Sequence, residues 1–185
     1  MTPFPKGQYF FTDIRNEGVA LYELKGHRLA EAKPLTPKEA YKVAVKYFDF
    51  WHENSTRSFI LHQDAMGRQF RKEAAFLLHQ ATEQTYNCLL LVLSNYTPST
   101  HNIKFLRSLA EDLDRRLIDA WPRQHKQERS RFELLKRAYV EARYSEHFEI
   151  TAEELEWLGG RVQALQALVE TICQDRLNAL QTASE

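Results

Sequence analysis

From Thr36 onward, apolar residues recur every three or four positions, so the chain reads as a succession of amphipathic helices. Thr36, Pro37 and Glu39 are the residue types of an N-cap, a first helical position and the reciprocal partner of a capping box, with Leu35 placed to staple onto Ala40. Ala40, Val43, Ala44, Tyr47, Phe50 and Trp51 then mark one face. Phe59, Ile60 and Met66 carry the pattern past the polar run His52 to Arg57, predicting one long helix to about Met66 with room for a kink. Gly67 punctuates it. A second helix is predicted from about Gln69 to Asn95, with Phe70, Ala74, Leu77, Leu78, Ala81, Leu89 and Val92 inward. Its second half, Cys88 to Leu93, is apolar nearly all round, the mark of a central element with neighbours on more than one side.

Tyr96 to Asn102 reads as a loop, since Pro98 bars helix and Ser99 or Thr100 can cap the next one. Ile103, Leu106, Leu109, Leu113 and Leu117 predict a third helix, ended by Trp121 and Pro122. The fourth runs from about Gln127 to Arg143 with Phe132, Leu135, Tyr139 and Ala142 on one stripe; Ser145 and the approach to Thr151 place its end near Tyr144. Thr151 with Glu154 forms a second capping box, and Leu155, Leu158, Val162, Leu165, Val169, Ile172 and Arg176 succeed it at near-heptad spacing. Gly159 and Gly160 each cost roughly 1 kcal/mol against alanine inside a helix, which points to a close helix crossing or a bend there. Five such helices with short loops make an all-α antiparallel bundle.

The lead segment is different. Tyr9, Phe10 and Phe11 are strand-like, Asn16, Glu17 and Gly18 form a turn signal, and Val19 to Leu24 supports a second short strand. A lone hairpin is marginal in water. Residues 1–33 are therefore read as a tail or remnant of another fold, and residues 34–185 as the helical domain.

Composition adds little until charge is placed. The 25 basic and 25 acidic side chains cancel, which excludes the strongly basic balance of a protein that coats nucleic acid without specificity. Locally the balance fails: residues 115–137 carry a net +5 and residues 138–185 a net −6. The first segment is either a solvated face or an electropositive stripe facing phosphate. Cys88 and Cys173 show neither disulfide-framework nor metal spacing, and the amino terminus lacks a basic stretch followed by an apolar one. No apolar run is long enough to cross a bilayer, so a cytoplasmic protein with buried free thiols, no metal and no cofactor is expected.

Ala74-Ala75-Phe76 and His79-Gln80-Ala81 to Glu83 on the second helix stand in a particular order with other motifs. Tyr96-Thr97-Pro98 and Thr100-His101-Asn102 come next, in the loop, then Ala138-Tyr139 and Ala142-Arg143-Tyr144 at the end of the fourth helix. This series resembles the HEPN domain, an all-helical family often found beside minimal nucleotidyltransferases. Glu17-Gly18 and Leu21-Tyr22 are similar to the exit from such a transferase domain. The resemblance implies a nucleotidyltransferase partner, fused upstream or separate, a nucleotide or RNA ligand, and a homodimer. The transferase's Gly-Ser motif and paired acids do not occur in this sequence, and Asp13 alone cannot hold a divalent pair.

Three readings of the site stay open at this point. In the first, Arg143 and the basic segment hold a nucleotide's phosphates while Tyr139 or Tyr144 stacks its base. In the second, the resemblance implies a metal-independent ribonuclease. Arg143 would steady the scissile phosphate and His147 would move the 2′-hydroxyl proton. Only three residues separate them, against the four to six of the family motif. In the third, the bundle is a dimerisation scaffold. Tyr144 is also a candidate for adenylylation by a transferase partner. His79, Gln80 and Glu83 share one face of the second helix and are expected to fix register through hydrogen bonds to Thr100, His101 or Arg143, since two ligands without a third make a weak metal site.

Overall fold

The computed structural model describes residues 35–184; the lead segment 1–33, with its predicted strands and transferase-like signature, lies outside the described residues. Five α-helices occur in order: α1 (Pro37–Gly67), α2 (Arg71–Ser94), α3 (Ile103–Leu113), α4 (Lys126–Tyr144) and α5 (Ala152–Thr182), with a 3₁₀ turn at Arg115–Ala120 between α3 and α4. The capping boxes Thr36–Glu39 and Thr151–Glu154 both form as the sequence predicts. Helices α1 and α5, 31 residues each, are about 46 Å long and set the length of the bundle.

Helix α2 is the axis. It packs against α1, α3, α4 and α5, and every residue from Thr85 to Val92 is buried. Its polar residues are handled one by one: Thr82 and Thr85 donate back to the carbonyls of Leu78 and Ala81, and Ser55 of α1 joins Thr85 at 2.6 Å while accepting from Gln166 of α5 at 2.7 Å. The run His52 to Arg57 therefore does not interrupt α1, because Ser55 within it is a buried anchor. Gly159 allows the close crossing expected of it: a Cβ there would stand 3.4 Å from Nε2 of the buried His62. At Gly160 the same atom would meet open space. Cys88 and Cys173 are free, buried thiols that meet between α2 and α5, where the contact with Cys88 and burial both push the Cys173 pKa up.

Several boundaries and faces differ from the pattern. The α1–α2 turn centres on Gln69, at φ 63°, three residues beyond Met66 rather than on Gly67. Asn102 caps α3, accepting from the amides of Lys104 and Phe105, whereas Thr100 accepts from Asn102 itself. The third helix stops at Leu113 because Asp114 turns extended and its carboxylate takes up the Arg116 amide, starting the 3₁₀ turn that buries Leu117. Leu113 is consequently exposed, as are Phe50, Ile60 and Phe70, all three assigned inward or to the apolar face by spacing.

Trp121, the largest buried side chain, donates its indole N–H to the Tyr86 hydroxyl at 2.8 Å and packs edge-on against Phe132. Burial pushes the Tyr86 pKa up, so the phenol stays neutral. Replacing Tyr86→Phe leaves that N–H without its acceptor in a dry core. Urea unfolding is expected to show a loss of about 1–3 kcal/mol in stability with an unchanged m-value.

Candidate functional site

Helix α4 carries Lys136, Tyr139, Val140 and Arg143 at i, i+3, i+4 and i+7, the spacing of one face. Tyr139 is the hub of that face. Its ring stacks on the His101 imidazole, centroids 4.1 Å apart and planes 19° from parallel, and also meets Phe76 and His79 of α2.

His101 reaches this position because the loop before α3 is tied to α2 at two points. Asn95 takes the left-handed conformation that ends α2, and Thr97 donates to the buried Asn87 at 2.6 Å. One turn earlier on α2, the Glu83 carboxylate accepts from His101 Nδ1, with its two oxygens 3.1 and 3.0 Å away. Burial raises the Glu83 pKa above its ordinary value and the His101 hydrogen bond offsets part of that rise. The expectation that Glu83 ties the helix to the loop is met through His101.

His79, one turn before Glu83, is wholly buried, and neither ring nitrogen has a hydrogen-bond partner. Burial lowers its pKa to about 4; the charges of His101 and Arg143 push the same way, and the His101 main chain opposes them. It is therefore a neutral ring at pH 7, and its 3.8 Å approach to Glu83 is no ion pair. Half-buried Gln80 also has an amide nitrogen without a partner.

Arg143 ends the face. Its Nε donates to the Tyr139 carbonyl at 2.7 Å, and its guanidinium carbon lies 4.7 Å from the Phe76 ring centre, 4.5 Å from Tyr139 and 4.9 Å from Tyr144. The arginine thus caps its own helix and stacks on three aromatic rings. Its terminal nitrogens pair with no carboxylate among the described residues, Glu146 included. Beside it opens a pocket of about 440 Å³ lined by Lys72, Glu73, Phe76, Leu77, Ala142 and Arg143.

His147 stands apart from this group. Helix α4 ends at Tyr144, so the one-turn relation that would put His147 on the Arg143 face is not made. Its backbone amide donates to Ser145 Oγ, and Lys72 of α2 pins the same turn by donating to the carbonyls of Ser145 and Glu146. Among the described residues no hydrogen bond, ion pair or ring contact joins His147 to Arg143.

Much of the basic segment is engaged locally: Arg116 with Asp114 and Asp175, Arg123 with Glu111, Arg131 with Glu153, Lys136 with Glu133 and Arg137 with Glu141. The solvated-face account describes most of its length. Lys72 and Lys104, which sequence reasoning passed over, border the site from α2 and α3. As isolated cations on helix surfaces they leave no periodic trace. No group of three or more His, Cys, Asp or Glu side chains suited to a metal ion occurs among the described residues, and no helix there is long and apolar enough to cross a membrane.

The sequence profile of the HEPN domain matches residues 48–172, more than half of the chain and all of the helices that build this site. The chain belongs to the HEPN family. HEPN domains are nucleotide- and RNA-associated helical bundles, and the architecture here agrees with that fold. No curated protein matches this HEPN chain.

The unpartnered His79 makes the bundle sensitive to acid. The unfolded chain protonates this residue as pH falls through 6.5, the folded chain only near 4, so stability is lost between those values. Glu83 opposes the trend, because its folded-state carboxyl protonates ahead of the unfolded one. His79→Leu is expected to flatten the fall in denaturant midpoint across that window, removing up to about 3 kcal/mol of pH dependence.

Proposed function

We propose that this chain is a cytoplasmic nucleotide-associated module whose Arg143 pocket grips a phosphate group and which works beside a nucleotidyltransferase, fused upstream or separate. One observation carries the reading: a guanidinium held on three aromatic rings, with its Nε spent on the helix end and its terminal N–H groups paired with no carboxylate among the described residues, is pre-set to bind an anion. Tyr144, 76% exposed beside the guanidinium, offers a face for a base, whereas Tyr139 is already stacked on His101.

The transferase partnership rests on Glu17-Gly18 and Leu21-Tyr22 and on the family resemblance. A homodimer belongs to the same reading. Phe70, Val140 and Tyr144 are large apolar side chains, each more than half exposed, around the two sides of the site, and a second copy would cover them.

Calorimetry with ATP, GTP and UTP tests the module. Binding of at least one is expected, weakened at least about tenfold in Arg143→Gln, the loss of one charge-assisted bidentate contact. No binding of any nucleotide, or binding unchanged in the variant, overturns the reading. Tyr144 is the most exposed tyrosine among the described residues and the one offered to a transferase partner. Incubation with a cognate transferase and ATP is expected to add one adenylyl mass to the wild-type protein and none to Tyr144→Phe.

A further inference from the structure

The Arg143 pocket contains a single acid. Of the residues that line it, Lys72, Glu73 and Arg143 carry charge, and Phe76, Leu77 and Ala142 are apolar. Both cations are held in place: Lys72 donates to the carbonyls of Ser145 and Glu146, and Arg143 to that of Tyr139. The Glu73 carboxylate makes no hydrogen bond or ion pair with any described residue, although two cations line the same pocket. Glu73 lies in the first turn of α2, where a negative charge suits the helix dipole. The dipole accounts for an acid in that turn. It does not account for an unpaired acid on the wall of an anion pocket, where it repels whatever Arg143 attracts.

A ligand removes this conflict when it carries an anion at one end and hydrogen-bond donors at the other. Nucleotides have that form, and their bases differ in what they offer a carboxylate. Guanine presents N1–H and an N2–H side by side, spaced for the two oxygens of one carboxylate. Adenine sets the acceptor N1 beside its N6–H, cytosine sets the acceptor N3 beside its N4–H, and uracil has one N3–H between two carbonyl oxygens, so each turns a lone pair toward the acid. We propose that Glu73 is the specificity-determining residue of the Arg143 pocket and selects guanine nucleotides, accepting from N1–H and N2–H while Arg143 holds phosphate. The inference rests on the phosphate-binding role given to Arg143 above. Phe76, Leu77 and Ala142 supply an apolar wall for the rings, and the pocket's volume of about 440 Å³ falls within the range of small-molecule sites, roughly 300–1,000 Å³. Lys72 has spent two ammonium protons on main-chain carbonyls and keeps the third for a phosphate oxygen.

The full chain is titrated by calorimetry with GTP, ATP, UTP and inosine triphosphate, whose base keeps N1–H and lacks the 2-amino group. Wild-type protein is expected to bind GTP about tenfold or more tighter than ATP or UTP, the discrimination of one good bidentate pair, with inosine triphosphate between them. In Glu73→Gln the side-chain amide sets an N–H against N1–H of guanine, whereas it matches the N6–H and N1 of adenine. GTP should therefore weaken about tenfold while ATP does not weaken, and the preference is lost. Equal affinity for all four ligands in the wild-type protein, or a preference for ATP or UTP, overturns the selection of guanine and leaves the Arg143 role standing. A GTP preference that survives in Glu73→Gln, or a variant that loses all nucleotides alike, overturns the part given to Glu73. Absence of any nucleotide binding in the wild-type protein removes both readings.

Discussion

A helix with almost no polar side has no face to give to water, and α2 comes close to that limit. The other four helices are arranged to enclose it, and each polar group it carries inward has to be answered by a neighbour. Some answers are structural, such as the Ser55–Thr85–Gln166 chain that ties α1, α2 and α5 together. Others produce the site. Asn87 and Glu83 draw the loop before α3 onto the helix, and in doing so set His101 against Tyr139. His79 is left without an answer, and the cost appears as a histidine that resists protonation.

The site is therefore a by-product of where a buried carboxylate could find a donor. Glu83 could not remain inside unpaired, and the element that supplies its N–H is the loop entering α3. Tyr139 then becomes a shared wall, with an imidazole and a guanidinium both packed against its ring. Charge is distributed by the same logic. Of the cations in residues 115–137, Arg116, Arg123 and Arg131 fasten one element to another, whereas Lys136 and Arg137 pair along their own helix. Arg143 and Lys104 pair with no carboxylate among the described residues.

The helical order of the chain could be read from spacing because α2 and α5 bury stripes of regular period, and because Thr36 and Thr151 begin helices with reciprocal caps that need no tertiary context. Boundaries set by one side chain's local choice were harder. Asp114 could have continued a helix, and only its hydrogen bond to the Arg116 amide decides otherwise. Phe50, Ile60 and Phe70 sit on the apolar face by periodicity and yet stay exposed, since what covers a face depends on which helix lies beside it. Arg143, Tyr139, Glu83 and His101 were all legible as candidates, and the structure brings each of them into contact with at least one other. Their pairing was not, because a contact between a helix and a distant loop leaves no mark in the spacing of either. The net +5 of residues 115–137 likewise hid the ion pairs that absorb it.

Lys72 acts beyond its two hydrogen bonds. By donating to the carbonyls of Ser145 and Glu146 it closes the carboxyl-terminal end of α4 from a residue on α2. Helix ends ordinarily fray, opening and closing far more often than the core beneath them. Here the end of α4, whose last turn bears Arg143, is fastened to the first turn of the most deeply buried helix, so its fraying is restrained from a second element. That end of the bundle opens less readily than a helix terminus with no such tie.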